Sequence, residues 1–172
     1  KDNYYLIVGA LAPNKHVDLA IEVFNRLKLP LKISGSGQDE KYCRTIAGKN
    51  VDFLGVVSNK KLLELYQKAR ALVFPGEDDF GITPLEAQAC NTPVIAFGKG
   101  GALETVSNRT GIFFKEQNVE SLSKAVEEME NNWGSFSSDS FKKQVSGFGR
   151  DIFKDQIANA IEQGYLKWKE LL

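Results

Sequence analysis

Short apolar runs rich in β-branched and aromatic residues alternate with segments of helical periodicity from residue 5 to residue 129, and no other feature restricts the fold as much. Tyr5-Leu6-Ile7-Val8 reads as a strand, and Val17, Leu19, Ala20, Ile21, Phe24 and Leu27 mark the inner face of a helix. Leu31-Lys32-Ile33-Ser34 is a second strand, followed by the turn Gly35-Ser36-Gly37 and a helix over residues 39–47. Residues 51–54 form a third strand, Leu62, Leu63, Leu65, Tyr66 and Ala69 line the next helix, and residues 71–74 form a fourth strand. A helix over 84–89 leads to a fifth strand at 94–96, and a sixth at 111–114 precedes a helix over 119–129. Such alternation predicts an α/β fold: a doubly wound, six-stranded parallel sheet of Rossmann-like type with right-handed crossovers and helices on both faces.

The pattern changes near residue 131. NNWGSFSSDS is a polar connection, and residues 141–172 read as helical with breaks at Gly147, Gly149 and Gly164. Phe153, Ile157, Ile161, Trp168 and Leu171 recur at near-helical spacing and predict a buried face. The expected division is a sheet domain over 1–135 and C-terminal helices over 136–172, packed on it and on a neighbour outside this sequence. The abrupt entry of KDNYYLIVGAL into a strand predicts a cut at a domain boundary, with neither signal peptide nor membrane span.

Charge excludes some partners. Lys+Arg and Asp+Glu both total 22, so no global field favours nucleic acid or an anionic membrane. Cys43 and Cys90 stand in helical segments without metal-type spacing, as in a reduced cytosolic chain, and no metal site is expected.

In a doubly wound sheet, ligands bind beyond the carboxyl ends of the strands. Four loops lie there: residues 9–15, 35–38, 75–83 and 97–101. The third and its neighbours read PGEDDFGITPLEAQACNTPVIAFGKGGALETV, with Glu77, Asp78 and Asp79 before a helix that carries Glu86. Thr83-Pro84-Leu85-Glu86 has the form of a helix start: a capping hydroxyl, a proline at the first helical position and a reciprocal glutamate. Its free amides and positive dipole end attract an anion. On spacing alone, Glu86 serves equally well as half of a capping box or as a ligand. A phosphate by itself does not call for so many carboxylates, whereas sugar hydroxyls do. One ligand class supplies both, since a nucleotide sugar carries a diphosphate between a ribose and a hexose, and Asp78 and Glu86 can grip hydroxyls at its two ends.

Asp78-Asp79-Phe80-Gly81-Ile82-Thr83-Pro84-Leu85-Glu86-Ala87, then Thr92-Pro93-Val94-Ile95 and Gly100-Gly101-Ala102-Leu103-Glu104, resemble the signature of retaining glycosyltransferases of family four, with the B-type fold. The likeness extends to Val8-Gly9-Ala10-Leu11-Ala12-Pro13-Asn14-Lys15-His16, Gly35-Ser36-Gly37 and Phe53-Leu54-Gly55, in consistent order over residues 5–131. ALAPNKHVDLAIEVFNRL and EDDFGITPLEAQA look most like the mannosyltransferase branch that assembles O-antigen and capsular glycans.

The resemblance implies a donor-binding, C-terminal half of such an enzyme, transferring a hexose, mannose from GDP-mannose foremost, to a glycan or lipid-linked glycan acceptor. That acceptor would be held by an N-terminal domain, and the chain alone would transfer little. It implies Lys15 and Asp78 as the catalytic pair, Lys15 on the diphosphate and Asp78 facing the transferred sugar with the backbone of Phe80 and Gly81. The amides of Ile82 and Thr83 would meet phosphate, Glu86 the ribose, Gly55 and Val56 the base, and Gly9 and Gly35 would line the pocket. It implies neither cofactor nor metal, a nucleotide sugar as substrate, no nucleic acid, no direct membrane insertion, and a cytoplasmic enzyme peripheral to the inner membrane when whole. Two positions depart from the family pattern: Asp78 stands for the usual glutamate, and Ala10 for a common arginine, which leaves Lys15 as the main cation with His16 beside it.

Other classes fit less well. Gly9-Ala10-Leu11-Ala12 lacks the Gly-x-Gly-x-x-Gly of a dinucleotide oxidoreductase. A non-catalytic nucleotide-binding or partner-docking α/β module is the alternative, with Lys15, His16 and Glu86 then serving as solvated or capping residues.

Overall fold

The computed structural model describes residues 2–169. Six strands, β1 (Tyr5–Val8), β2 (Leu31–Ser34), β3 (Val51–Gly55), β4 (Ala71–Phe74), β5 (Val94–Phe97) and β6 (Gly111–Phe114), form one sheet in the order β3-β2-β1-β4-β5-β6. Every pairing is parallel. The helices are α1 (Val17–Leu27), α2 (Glu40–Ile46), α3 (Asn59–Lys68), α4 (Ile82–Ala89), α5 (Ala102–Thr105), α6 (Val119–Asn132), α7 (Ser138–Ser146) and α8 (Arg150–Lys169). The expected doubly wound α/β sheet is therefore present. Its order reverses between β1 and β4, which opens a crevice beyond the carboxyl ends of those two strands.

Strand side chains divide by parity between the two faces. Tyr5, Ile7, Ile33, Val73, Ile95, Ile112 and Phe114 pack on one side with Phe24 of α1, Cys43 of α2 and Leu122, Val126 and Met129 of α6. Leu6, Leu72, Phe74, Val94 and Ala96 pack on the other with Leu65 and Tyr66 of α3, Ala87 of α4 and Ala102 of α5. Both faces of β4 and β5 are buried, which is why these strands read as unbroken apolar runs. Leu63, expected on the inner face of α3, is instead 49% exposed, one step round the helix from Leu62.

At the amino edge of the sheet, Tyr5 donates to Glu130 at 2.5 Å and Trp133 Nε1 donates to the Arg70 carbonyl at 2.9 Å. Arg70 Nε lies 2.6 Å from Glu130 Oε1 but forms no aligned hydrogen bond, so the contact is ionic. These links pin the end of α6 beneath β1 and β4.

The C-terminal helices behave differently from each other. Buried Phe141 anchors α7, while Ser138 donates to Asn91 and Gln144 to the Glu104 carbonyl. In α8 every described residue is exposed, including Phe153 at 62%, Ile161 at 65% and Trp168 at 55%. The apolar stripe read from the sequence is thus helical but uncovered, and α8 continues through Gly164 rather than breaking there. Leu171, the last residue of the expected stripe, lies outside the described residues.

Candidate donor site

The four carboxyl-edge loops touch backbone to backbone, and glycines make the approach possible. A Cβ on Gly35 would stand 1.8 Å from the Gly9 carbonyl oxygen, one on Gly76 2.8 Å from Lys15 Cα, and one on Gly101 2.3 Å from Phe80 Cα. The loop after β1 meets those after β2 and β4, and the loop after β5 meets the acidic loop. Leu11 N donates to the Ser36 carbonyl at 3.0 Å, and Gly101 N donates to the Asp78 carbonyl at 2.7 Å.

Lys15 closes a 3-10 turn, Pro13–Lys15, which holds it over the switch-point crevice. Its Nζ donates to Asp78 Oδ1 in an ion pair whose side chains are about three-quarters buried. The two residues expected to act on diphosphate and sugar are therefore brought together, 63 positions apart in sequence. His16 follows with φ of 48°, a left-handed value uncommon outside glycine, and its backbone joins the turn to α1.

The start of α4 differs from the expectation. The helix begins at Ile82, capped by Gly81 in a left-handed conformation (φ 84°), and neither Thr83 nor any other side chain caps it. A Cβ on Gly81 would rest in ordinary contact with Phe74 and Pro84, each 3.4 Å away, so it is the left-handed backbone that disfavours any other residue here. Thr83 is inside the first turn, and Glu86 stands too far along α4 to complete a capping box. The amides of Ile82 and Thr83 belong to that first turn, where no intrahelical acceptor exists, and Pro84 has no N–H. They form a donor pair at the positive end of the helix. The Glu86 carboxylate is turned to α3, where it accepts a hydrogen bond from the Tyr66 hydroxyl at 2.8 Å.

Gly55 ends β3 at φ of 64°, and its carbonyl accepts from Gly35 N at 2.9 Å and Ser34 Oγ at 3.2 Å. Val56 follows it 80% exposed, while Phe80 in the acidic loop and Ile82 at the start of α4 are 42% and 64% exposed. Phe80 meets Phe148 edge-on with centroids 5.7 Å apart, an aromatic support from beyond α7. Ala10 places no cation beside Lys15. A hollow of about 410 Å³ lies at the far β6 end of the same edge, lined by Lys115, Glu116, Asn118, Glu120, Lys124 and Glu128, and none of these charges is buried.

Three structural residues went unnoticed in the sequence. Tyr66 reads from the sequence only as an inner-face residue of its helix, with no sign of a polar partner, and Phe148 carries no signal of its own. Gln88 is buried in α4, where its Nε2 donates to the Pro84 carbonyl at 2.9 Å and the Thr105 carbonyl at 2.8 Å, tying α4 to α5. An amide on the inward face of an apolar helix is the signal that could have found it.

Sheet order, the switch-point crevice and the acidic loop before α4 define a doubly wound α/β domain with its candidate site at the carboxyl edge of the sheet. The chain belongs to the group 1 glycosyl transferases, whose family model matches residues 1–145. It is 30% identical over 168 residues to an O-antigen chain mannosyltransferase of Salmonella typhimurium, covering 92% of this chain and 47% of that one. It is 33% identical over 135 residues to a GDP-mannose-dependent phosphatidylinositol monomannoside mannosyltransferase of Corynebacterium glutamicum, covering 69% and 35% respectively. The fold is shared with sucrose-phosphate synthase from Thermosynechococcus elongatus, at a TM-score of 0.81 and 23% identity over 97% of this chain and 46% of that one. It is shared equally with HepE of Anabaena in complex with UDP, at 0.81 and 17% identity, covering 94% and 49%. The chain spans between a third and a half of the length of these relatives. None of its described helices is long and apolar enough to cross a membrane.

Proposed function

We propose that this chain binds the nucleotide-sugar donor of a hexosyl transfer, with GDP-mannose as donor and a glycan or lipid-linked glycan as acceptor. One observation carries the proposal: the loop after β1 sets Lys15 against Asp78 of the acidic loop that leads into α4, at the reversal of strand order. The choice of mannose is supported by the mannosyltransferase activity for which relatives near 30% identity are named.

On donor binding, Lys15 exchanges the Asp78 carboxylate for the diphosphate, and Asp78 is released to a hexose hydroxyl. As the glycosidic bond to the diphosphate breaks, negative charge grows on the leaving oxygen and is stabilised by Lys15 and the amides of Ile82 and Thr83. The cation in this scheme is a lysine rather than a metal ion. Glu86 holds the ribose, and the exposed surface at Gly55 and Val56 lies along the base. An acceptor hydroxyl forms the new bond to the hexose, and polypeptide beyond this chain holds that acceptor and supplies any base, in a cytoplasmic enzyme at the periphery of the inner membrane.

A thermal-shift panel with GDP, UDP, ADP, GDP-mannose and UDP-glucose tests this, repeated with Lys15→Ala and Glu86→Ala. Ligand at about a hundred times its dissociation constant adds roughly 2.7 kcal/mol. The expected result is a shift with guanosine ligands that both variants abolish. A shift with uridine ligands alone would remove GDP-mannose as donor, and shifts untouched by either variant would remove the site.

A further inference from the structure

We propose that Tyr66 is a positioning residue for the donor site: its buried hydroxyl holds one oxygen of Glu86 so that the other is presented to the ligand. The proposal rests on the assignment of Glu86 to the donor's ribose.

Tyr66 projects from α3 and is only 3% exposed. Its hydroxyl reaches across to α4 and donates to Glu86 Oε2 at 2.8 Å. Thr92, in the turn before β5, donates to the Tyr66 carbonyl at 2.5 Å, so the backbone beneath the ring is fixed as well. Among the described residues no Lys, Arg or His pairs with Glu86, and the phenol is the hydrogen-bond partner that sets the direction of its carboxylate. With Oε2 engaged, Oε1 and its lone pairs stay available to accept from hydroxyls.

A buried tyrosine needs some acceptor, and the simpler account is that Glu86 merely satisfies it. Tyr4 shows how this fold meets that need without a charged group, since its hydroxyl donates to the Leu65 carbonyl at 2.9 Å. Tyr66 sits one residue further along α3 and spends its hydroxyl on a partly exposed carboxylate of another helix. A glutamate has three rotatable side-chain bonds, and ordering them at the moment of binding weakens affinity. Anchoring one oxygen beforehand removes most of that loss. Burial, and after it the contact with Glu86, hold the phenol well above the usual tyrosine range, so it remains a donor throughout neutral and mildly alkaline pH.

Isothermal titration of the 172-residue chain with GDP and UDP, each against its 2′,3′-dideoxy counterpart, separates the possibilities. A carboxylate that accepts from the ribose makes the wild-type chain favour the hydroxyl-bearing ligand by about tenfold or more. Glu86→Ala is expected to abolish that ratio. Tyr66→Phe, which keeps the ring, is expected to cut it by roughly threefold to tenfold while leaving affinity for the dideoxy ligand unchanged. In the double variant Tyr66→Phe should have no further effect on the ratio, as coupling through one carboxylate requires. A Tyr66→Phe chain with the wild-type ratio would overturn the proposal and leave Glu86 on the ribose. A wild-type ratio near one would overturn the ribose assignment and this proposal with it.

Discussion

Replacing Gly101 by alanine tests whether the donor edge is held by backbone contact between loops. The backbone of Gly101 has φ of −61° and ψ of −17°, values any residue adopts freely. On conformational grounds alone, such a change stabilises a chain by about 0.4–1 kcal/mol through the unfolded state. The local packing reverses the sign. The new methyl would stand 2.3 Å from Phe80 Cα and 2.4 Å from Phe80 O, both backbone atoms, where ordinary contact begins at 3.4 Å. The loop bearing Asp78 and Phe80 has to retreat by about 1 Å, against the hydrogen bond from Gly101 N to the Asp78 carbonyl. Overpacking of this kind costs about 1–3 kcal/mol, which lowers the melting temperature of a chain this size by roughly 2–12 °C. Donor affinity should fall as well, because the displaced segment carries Asp78, the carboxylate proposed to face the sugar. Gly147 provides the matched control: its φ is −68°, and its Cβ would meet only the Gln144 carbonyl at 3.6 Å. Gly147→Ala is expected to melt at or slightly above the wild type in differential scanning calorimetry. A Gly101→Ala chain as stable as the control would refute the packed-loop account of the site.

Three further outcomes follow from burial and exposure. Burial pushes the Cys43 thiol up to about 11 and the Tyr4 phenol up to about 12, and drives Tyr5 and Tyr66 higher still. The folded chain therefore keeps protons that the unfolded chain releases above about pH 9–10, so stability is full below that range and falls as pH rises. Each group contributes a slope of about 1.4 kcal/mol per pH unit, and a melting temperature unchanged between about pH 8.5 and 10.5 would contradict these burials. Phe141→Ala should cost about 3–5 kcal/mol, because its buried ring anchors α7 beside Phe136. Removing 150–169 should change stability by no more than about 0.5 kcal/mol, as α8 is exposed throughout, and a large loss on that truncation would show that α8 is held.

Much of the fold was legible because it follows from local periodicity. Runs such as Ala71-Leu72-Val73-Phe74 are apolar on both parities, which only a strand covered on both faces requires. Helix faces such as Val17, Ala20, Ile21 and Phe24 are set by the 3.6-residue repeat. Where local signals competed, they misled: Thr83-Pro84-Leu85-Glu86 has every mark of a capped start, yet the helix begins two residues earlier. Gly81, at φ of 84°, supplies the left-handed turn that no side-chain cap could provide. The stripe of α8 was read as buried because periodicity reports which residues share a face, and not what covers that face.

The sequence by itself determined the alternation of strands and helices, the parallel sheet, and the loops in which chemistry gathers, since these depend on residues close together in the chain. Only the tertiary structure decided which groups meet. Lys15 pairs with Asp78 across 63 positions and Tyr66 with Glu86 across 20, contacts that no local spacing encodes. They exist because the strand order reverses between β1 and β4, which sets the turn after one strand against the acidic loop after the other and lays α3 beside α4.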